Sequence, residues 1–203
     1  LLPLLFFIQT PIHANSSSYI DTYLREHKEN SLDLAKHFGS IVVQGPVGRM
    51  KPLDTQNREV LNKLTGKSTW NGMNANQVIL GMFSRPSIWK KVDIIKVSTP
   101  KLRKLLGVDA KQKLVKFTDF FTQDGIYKLT VQVEQANQLV PSKRGTFERD
   151  LVKVDERLNI AFMSYRGVLL TIFPLPNNER NKWVDFKTMF EIIDNKQVKR
   201  STS

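Results

Sequence analysis

Gly48-Arg49-Met50-Lys51-Pro52-Leu53-Asp54-Thr55 follows the apolar run Ile41-Val42-Val43-Gln44 after only three residues. Together the two pieces predict a strand, a tight turn, a second short strand and then a helix. Gly45-Pro46 and Gly48 supply the turn chemistry, and Pro52 ends the second extended piece. Asp54 or Thr55 is placed to cap a helix that carries Val60, Leu61 and Leu64 and stops at Gly66. A strand pair this short, feeding straight into a helix, sets the class that the rest of the chain then follows.

Upstream, Ser18 to Phe38 is polar with scattered apolar residues and predicts one or two short helices. Downstream, Val78, Ile79 and Met82 recur at helical spacing over Asn74–Met82, and Val92–Val97 reads as a short strand. Thr99-Pro100 predicts a helix start with Thr as N-cap. The stripe Leu102, Leu105 and Leu106 then faces a core, and Gly107 closes the helix. Phe117, Phe120 and Phe121 surround Asp119, and a further helix is expected from Tyr127 to Leu139.

The clearest element is Thr146–Arg166. Phe147, Leu151, Val154, Leu158, Ala161 and Tyr165 recur at spacings of 4, 3, 4, 3 and 4, and Gly167 follows. Such a stripe is packing surface. Val168–Phe173 reads as a strand, Pro174–Asn181 as a loop, and Trp183–Ile193 as a last helix. Helices outweigh strands, and no repeat or βαβ series appears. The expected fold is α+β, a helix-rich single domain with a few short strands.

Leu1–Ile8 is too short to span a bilayer, which takes ~20 apolar residues. Residues 1–14 are therefore expected to be the end of a transmembrane segment or a signal segment. Residues 15–34 would be a polar linker or short helices, 35–193 the α+β domain, and 194–203 a polar basic tail. The chain reads as a fragment of a larger membrane protein.

Lys and Arg outnumber Asp and Glu by 31 to 19 over 203 residues, a net charge of +12. Arg85 to Lys116 holds ten basic residues and two acids, so this segment alone carries +8. Lys90, Lys91, Lys101, Lys104 and Lys111 are its candidate partner-facing or membrane-facing residues. Such a field attracts lipid headgroups, propionates or acidic protein faces. The aromatic residues sit at apolar periodic positions and do not interleave with the cations as a stacking platform would, which argues against nucleic acid.

The absence of cysteine excludes disulfides, thiolate metal sites and covalent haem attachment to this chain. Its three histidines, His13, His27 and His37, form no pair at ligand spacing, so no metal site is expected. His37, beside Phe38-Gly39, is the one candidate for a haem contact. Asp155, Glu156 and Arg157 are consecutive on a helix and so point in different directions. Asp155 and Arg157 are read as structural, each binding a neighbouring segment. No phosphate-binding glycine loop, nucleophile elbow or zinc-helix motif occurs, and no catalytic residue is assigned.

Several strings are collinear with a known family. Gly48–Thr55, Gln77-Val78-Ile79-Leu80-Gly81-Met82, Phe117–Phe121, Lys153–Ile160, and Phe173-Pro174-Leu175-Pro176 followed by Trp183 all resemble the extracytoplasmic region of system II cytochrome c biogenesis proteins. These are fused ResB/CcsA-type cytochrome c synthases, which export haem and join it to the thiols of apocytochrome c. The resemblance implies a piece on the periplasmic face of the inner membrane, acting as scaffold or docking surface. Its structural motif would be Gly48, Arg49, Pro52, Asp54 and Thr55, together with Asp155 and Arg157. Its implied partners are apocytochrome c, the membrane and the transmembrane remainder of the same protein. Haem belongs to the whole protein, and none is expected in this piece. The alternatives are a secreted envelope protein or a basic nucleic-acid-binding domain.

Overall fold

The computed structural model describes residues 16–45 and 47–201. The leader expected at 1–14 and His13 lie outside them. Helices α1 (Ser16–Asn30) and α2 (Leu32–Ser40) come first. They belong to the packed body, since Leu24 and Ala35 are buried.

Strand β1 (Val42–Gln44) pairs antiparallel with β2 (Met50–Pro52), Val42 opposite Pro52 and Gln44 opposite Met50. Helix α3 (Leu53–Thr65) begins at the next residue. Its cap differs from expectation. Pro52 occupies the N-cap position with no side-chain cap bond, while the Leu53 amide donates to the Ile41 carbonyl at 2.7 Å. The hairpin thus satisfies the first orphan donor, and Asp54 instead accepts from Arg58 and Asn76. Gly66 closes the helix at φ +74°.

A second small hairpin, β3 (Thr69–Trp70) and β4 (Met73–Asn74), leads into α4 (Ala75–Ser84). Asn74 and Gln77 form a reciprocal capping box there. After α5 (Pro86–Trp89), the strand expected over Val92–Val97 shortens to β5 (Ile95–Lys96), paired with β6 (Leu114–Val115).

In α6 (Pro100–Leu106) the expected apolar stripe is altered: Leu105 is 42% exposed, and Arg103 is buried at 4%. Arg103 tolerates burial because its guanidinium donates to the carbonyls of Val97, Ser98 and Ala110. Thr99 holds the N-cap position but makes no side-chain cap bond; its amide donates to Asp150 at 2.7 Å.

Helix α7 (Thr130–Gln138) is shorter than the stretch from Tyr127 to Leu139. Helix α8 (Thr146–Arg166) has the expected bounds and contacts α3, α4, α6, α7 and β5, which makes it the axis of the core. Of the segment expected as a strand over Val168–Phe173, only Phe173 is in β7 (Phe173–Pro174), which pairs with β8 (Trp183–Val184). The last helix, α9 (Phe186–Ser201), starts after Trp183 and runs through most of the expected tail. The fold is helix-rich α+β with short antiparallel hairpins. A smaller cluster of Val43, Leu53 and Leu170 sits beneath the β1–β2 hairpin, apart from the main core.

Candidate functional site

The Gly48–Thr55 string forms a joint between distant parts of the chain. Gly48 takes φ +80°, the left-handed geometry its turn requires. The Gln44 side chain donates to the carbonyls of Gly48 (3.3 Å) and Asn181 (2.9 Å) and accepts from the Trp183 amide at 2.8 Å. Its backbone amide donates to the Thr171 carbonyl at 3.1 Å, and the Thr171 hydroxyl donates to the Gln44 carbonyl at 2.6 Å. Gln56, from α3, donates to the Leu169 carbonyl at 2.7 Å. Arg49 is exposed at the hairpin, and Pro52 and Thr55 are exposed at the start of α3. A cleft of about 430 Å³ opens beside this joint, lined in part by Gln44, Gly48, Val168, Arg180, Lys182 and Trp183.

A second cleft, of about 520 Å³, lies between α1, β3 and the segments at 91–93 and 114–116. Lys67, Lys91 and Lys116 line it with Asp21, Asp93 and Trp70. Burial holds the Asp93 carboxyl above its ordinary value, with Asp119 adding to the rise while Lys116 and the Gln112 amide oppose it. The Trp70 indole N–H donates to the Asp93 carbonyl at 3.2 Å. Behind the cleft runs an aromatic series: Trp70 on Trp89 (5.6 Å between centroids), Trp89 edge-on to His27 (5.9 Å), and His27 stacked on Tyr23 (5.6 Å). This chemistry is ion pairing and stacking.

The basic residues singled out by sequence have different surroundings. Lys101 and Lys104 are exposed on α6, with the Lys101 ammonium 4.5 Å from the Phe147 ring centre. Lys90 is half-buried over Phe117 and Tyr165 (5.7 and 5.9 Å). Lys91 lines the second cleft, and Lys111 is exposed in the turn after α6.

Asp155 accepts from the Tyr127 hydroxyl at 3.0 Å, and burial together with that carboxylate pushes the Tyr127 phenol well above its ordinary value. Arg157 donates to the carbonyls of Lys63 and Lys96, both at 2.9 Å, tying α8 to α3 and β5. Both residues bind neighbouring segments, through neutral partners more than through ion pairs.

His37 is exposed and bonds the Asp33 carbonyl within its own helix. His27, read from sequence as a polar residue and no ligand, is half-buried, and its Nε2 lies 2.8 Å from the Gln77 carbonyl in a contact between α1 and α4. Among the described residues no three His, Asp or Glu side chains converge as metal ligands. No helix among them is long and apolar enough to cross a membrane.

No protein-family profile matches the chain. Protein NrfI of Wolinella succinogenes is 45% identical to it over 183 residues, 90% of this chain and 20% of that protein. The chain is a homologue of one stretch of Protein NrfI. It spans about a fifth of the length of that curated relative.

Proposed function

We propose that the chain is the extracytoplasmic part of a membrane-bound cytochrome c maturation protein, and that it serves there as scaffold and docking surface for apocytochrome c. The whole protein would be a system II synthase at the periplasmic face of the inner membrane, exporting haem and attaching it to apocytochrome thiols. The observation that carries this reading is the homology to Protein NrfI over nine-tenths of the chain, together with the collinear strings from Gly48 to Trp183.

The structure supports a scaffold role in one respect. Its long-range polar contacts, from Gln44, Gln56 and Arg157, hold distant segments together. In this reading the chain holds no haem of its own, and apocytochrome meets one of its clefts.

The test is complementation in a bacterium lacking its own system II synthase. The whole protein should restore haem-stained cytochrome c, and the same protein with the Gln44 tie broken by Gln44→Ala should accumulate less and restore less. Normal cytochrome c in cells whose only synthase lacks this region would refute the role.

A further inference from the structure

We propose that the outer face of the β1–β2 hairpin, with the cleft beside it, docks on an anionic lipid surface. Alternate residues of a strand share a face, so Val42, Gln44, Met50 and Pro52 point the same way, while Val43 turns inward at 0% exposure. Apart from Gln44, the outward side is apolar: Val42 and Met50 are each 46% exposed, and Val47 near the tip is 82% exposed.

Cations lie on the same hairpin and in the cleft that Gln44, Gly45 and Gly48 share with the 180–183 segment. Arg49 is exposed at the tip, and Arg180 and Lys182 line the cleft, brought there by the Gln44 bonds to Asn181 and Trp183. None of the residues lining the cleft is acidic. Among the described residues, neither Arg180 nor Lys182 has a carboxylate within ion-pair distance, while Lys51 on the same hairpin is paired with Glu59. Glu179 is the one acid adjoining them in sequence.

Protruding aliphatic residues backed by unpaired cations match the two parts of an anionic bilayer surface, acyl boundary and phosphate. The shape favours lipid over protein. A projecting tip needs a matching hollow in a folded partner, whereas a fluid interface accepts it without one. The 430 Å³ cleft is then the seat of a phosphodiester headgroup, with Trp183 among its lining residues. This assignment does not depend on the cytochrome reading.

The test uses the 203-residue chain and sedimentation with phosphatidylcholine vesicles, with or without roughly one third phosphatidylglycerol. Leu1–Ile8 is apolar and carries no charged side chain, so the readout is the difference between the two vesicle types. Arg180→Glu with Lys182→Glu should lower the anionic preference at least about tenfold at ~0.1 M salt, with the circular dichroism spectrum unchanged. Lys101→Glu with Lys104→Glu should lower it less. In Val47→Trp, brominated phosphatidylglycerol should quench the new indole.

Equal binding to both vesicle types overturns the proposal. So does a preference lost through the Lys101 and Lys104 pair instead, or an unquenched Val47→Trp. Capture by polyglutamate without any anionic vesicle preference would assign the face to an acidic protein.

Discussion

Gly81→Ala separates local propensity from packing, because the two act with opposite sign. Gly81 lies within α4, where an alanine ordinarily gains about 1 kcal/mol over glycine. A Cβ at this position, however, would lie 2.5 Å from Nε1 and 2.6 Å from Cε2 and Cζ2 of Trp89. Ordinary contact begins near 3.4 Å, so the indole must retreat by almost an ångström. It has nowhere to go: Trp89 is fully buried, its N–H donates to the Tyr23 hydroxyl at 3.3 Å, and its carbonyl accepts from Tyr165. Overpacking costs about 1–3 kcal/mol, and a pinned ring belongs at the upper end. The expected net is a loss of ~1–2 kcal/mol after the propensity gain. Urea unfolding at 25 °C, followed at 222 nm, should show a midpoint lower by roughly 0.5–1 M with an unchanged slope. The double variant with Trp89→Phe should recover part of the loss as a coupling of ~1 kcal/mol. A Gly81→Ala midpoint at or above wild type would falsify the packing argument, because propensity alone would then decide the outcome.

Leu151→Ala should cost about 3–5 kcal/mol and Leu158→Ala about 2–3, because Leu151 is fully enclosed while Leu158 borders an open aromatic groove with Phe121 and Phe162; urea midpoints in the reverse order would contradict this. Gly48→Val should cost at least ~1–2 kcal/mol through its left-handed φ alone, since no atom lies within 4 Å of the added Cβ; an unchanged midpoint would show that the turn can relax. Asp93→Asn should stabilise the protein at neutral pH. The folded carboxyl sits above its ordinary value, so its contribution is favourable below the unfolded value of ~3.9 and is lost as pH rises through the folded one. The advantage of the variant should therefore grow from pH ~3 to ~7, and a gap that shrinks instead would refute the sign.

The elements read correctly from sequence are those whose signal is local and continuous. The stripe of α8 runs without interruption for six turning points and ends at Gly167, so nothing distant was needed to place it. The β1–β2 hairpin was legible because Gly45-Pro46 and Gly48 stand between two short extended pieces, and a tight turn there calls for a residue free to take positive φ, as Gly48 does at +80°. What escaped depends on partners far along the chain. The stripe of α6 appeared to bury Leu105, but three carbonyls make Arg103 an acceptable buried residue in its place. The α3 cap departs from expectation because the helix starts earlier: Pro52, with no capping atom, holds the N-cap, and the hairpin's Ile41 carbonyl takes the Leu53 amide. Arg180 and Lys182 were invisible as a site because a loop reading says nothing of where a loop docks. The Gln44 bonds, which reach Asn181 and Trp183 across most of the sequence, bring those two cations beside the hairpin.

The same bonds change how the charge of the chain should be understood. Arg85 to Lys116 holds two-thirds of the net charge, yet much of it is committed internally. Arg103 is buried among carbonyls, Lys90 lies over two aromatic rings, Lys101 lies over Phe147, and Lys116 offsets Asp93. A cation held against a ring or a carbonyl still contributes to the distant field, but it is not free to close on a phosphate. Arg180 and Lys182, from a segment with little net charge, have no such commitment among the described residues. Contact chemistry therefore belongs at the hairpin and long-range attraction at the basic segment. Charge reversal at Arg180 and Lys182 should accordingly act mainly on the rate of release from an anionic surface, and reversal at Lys101 and Lys104 mainly on the rate of approach.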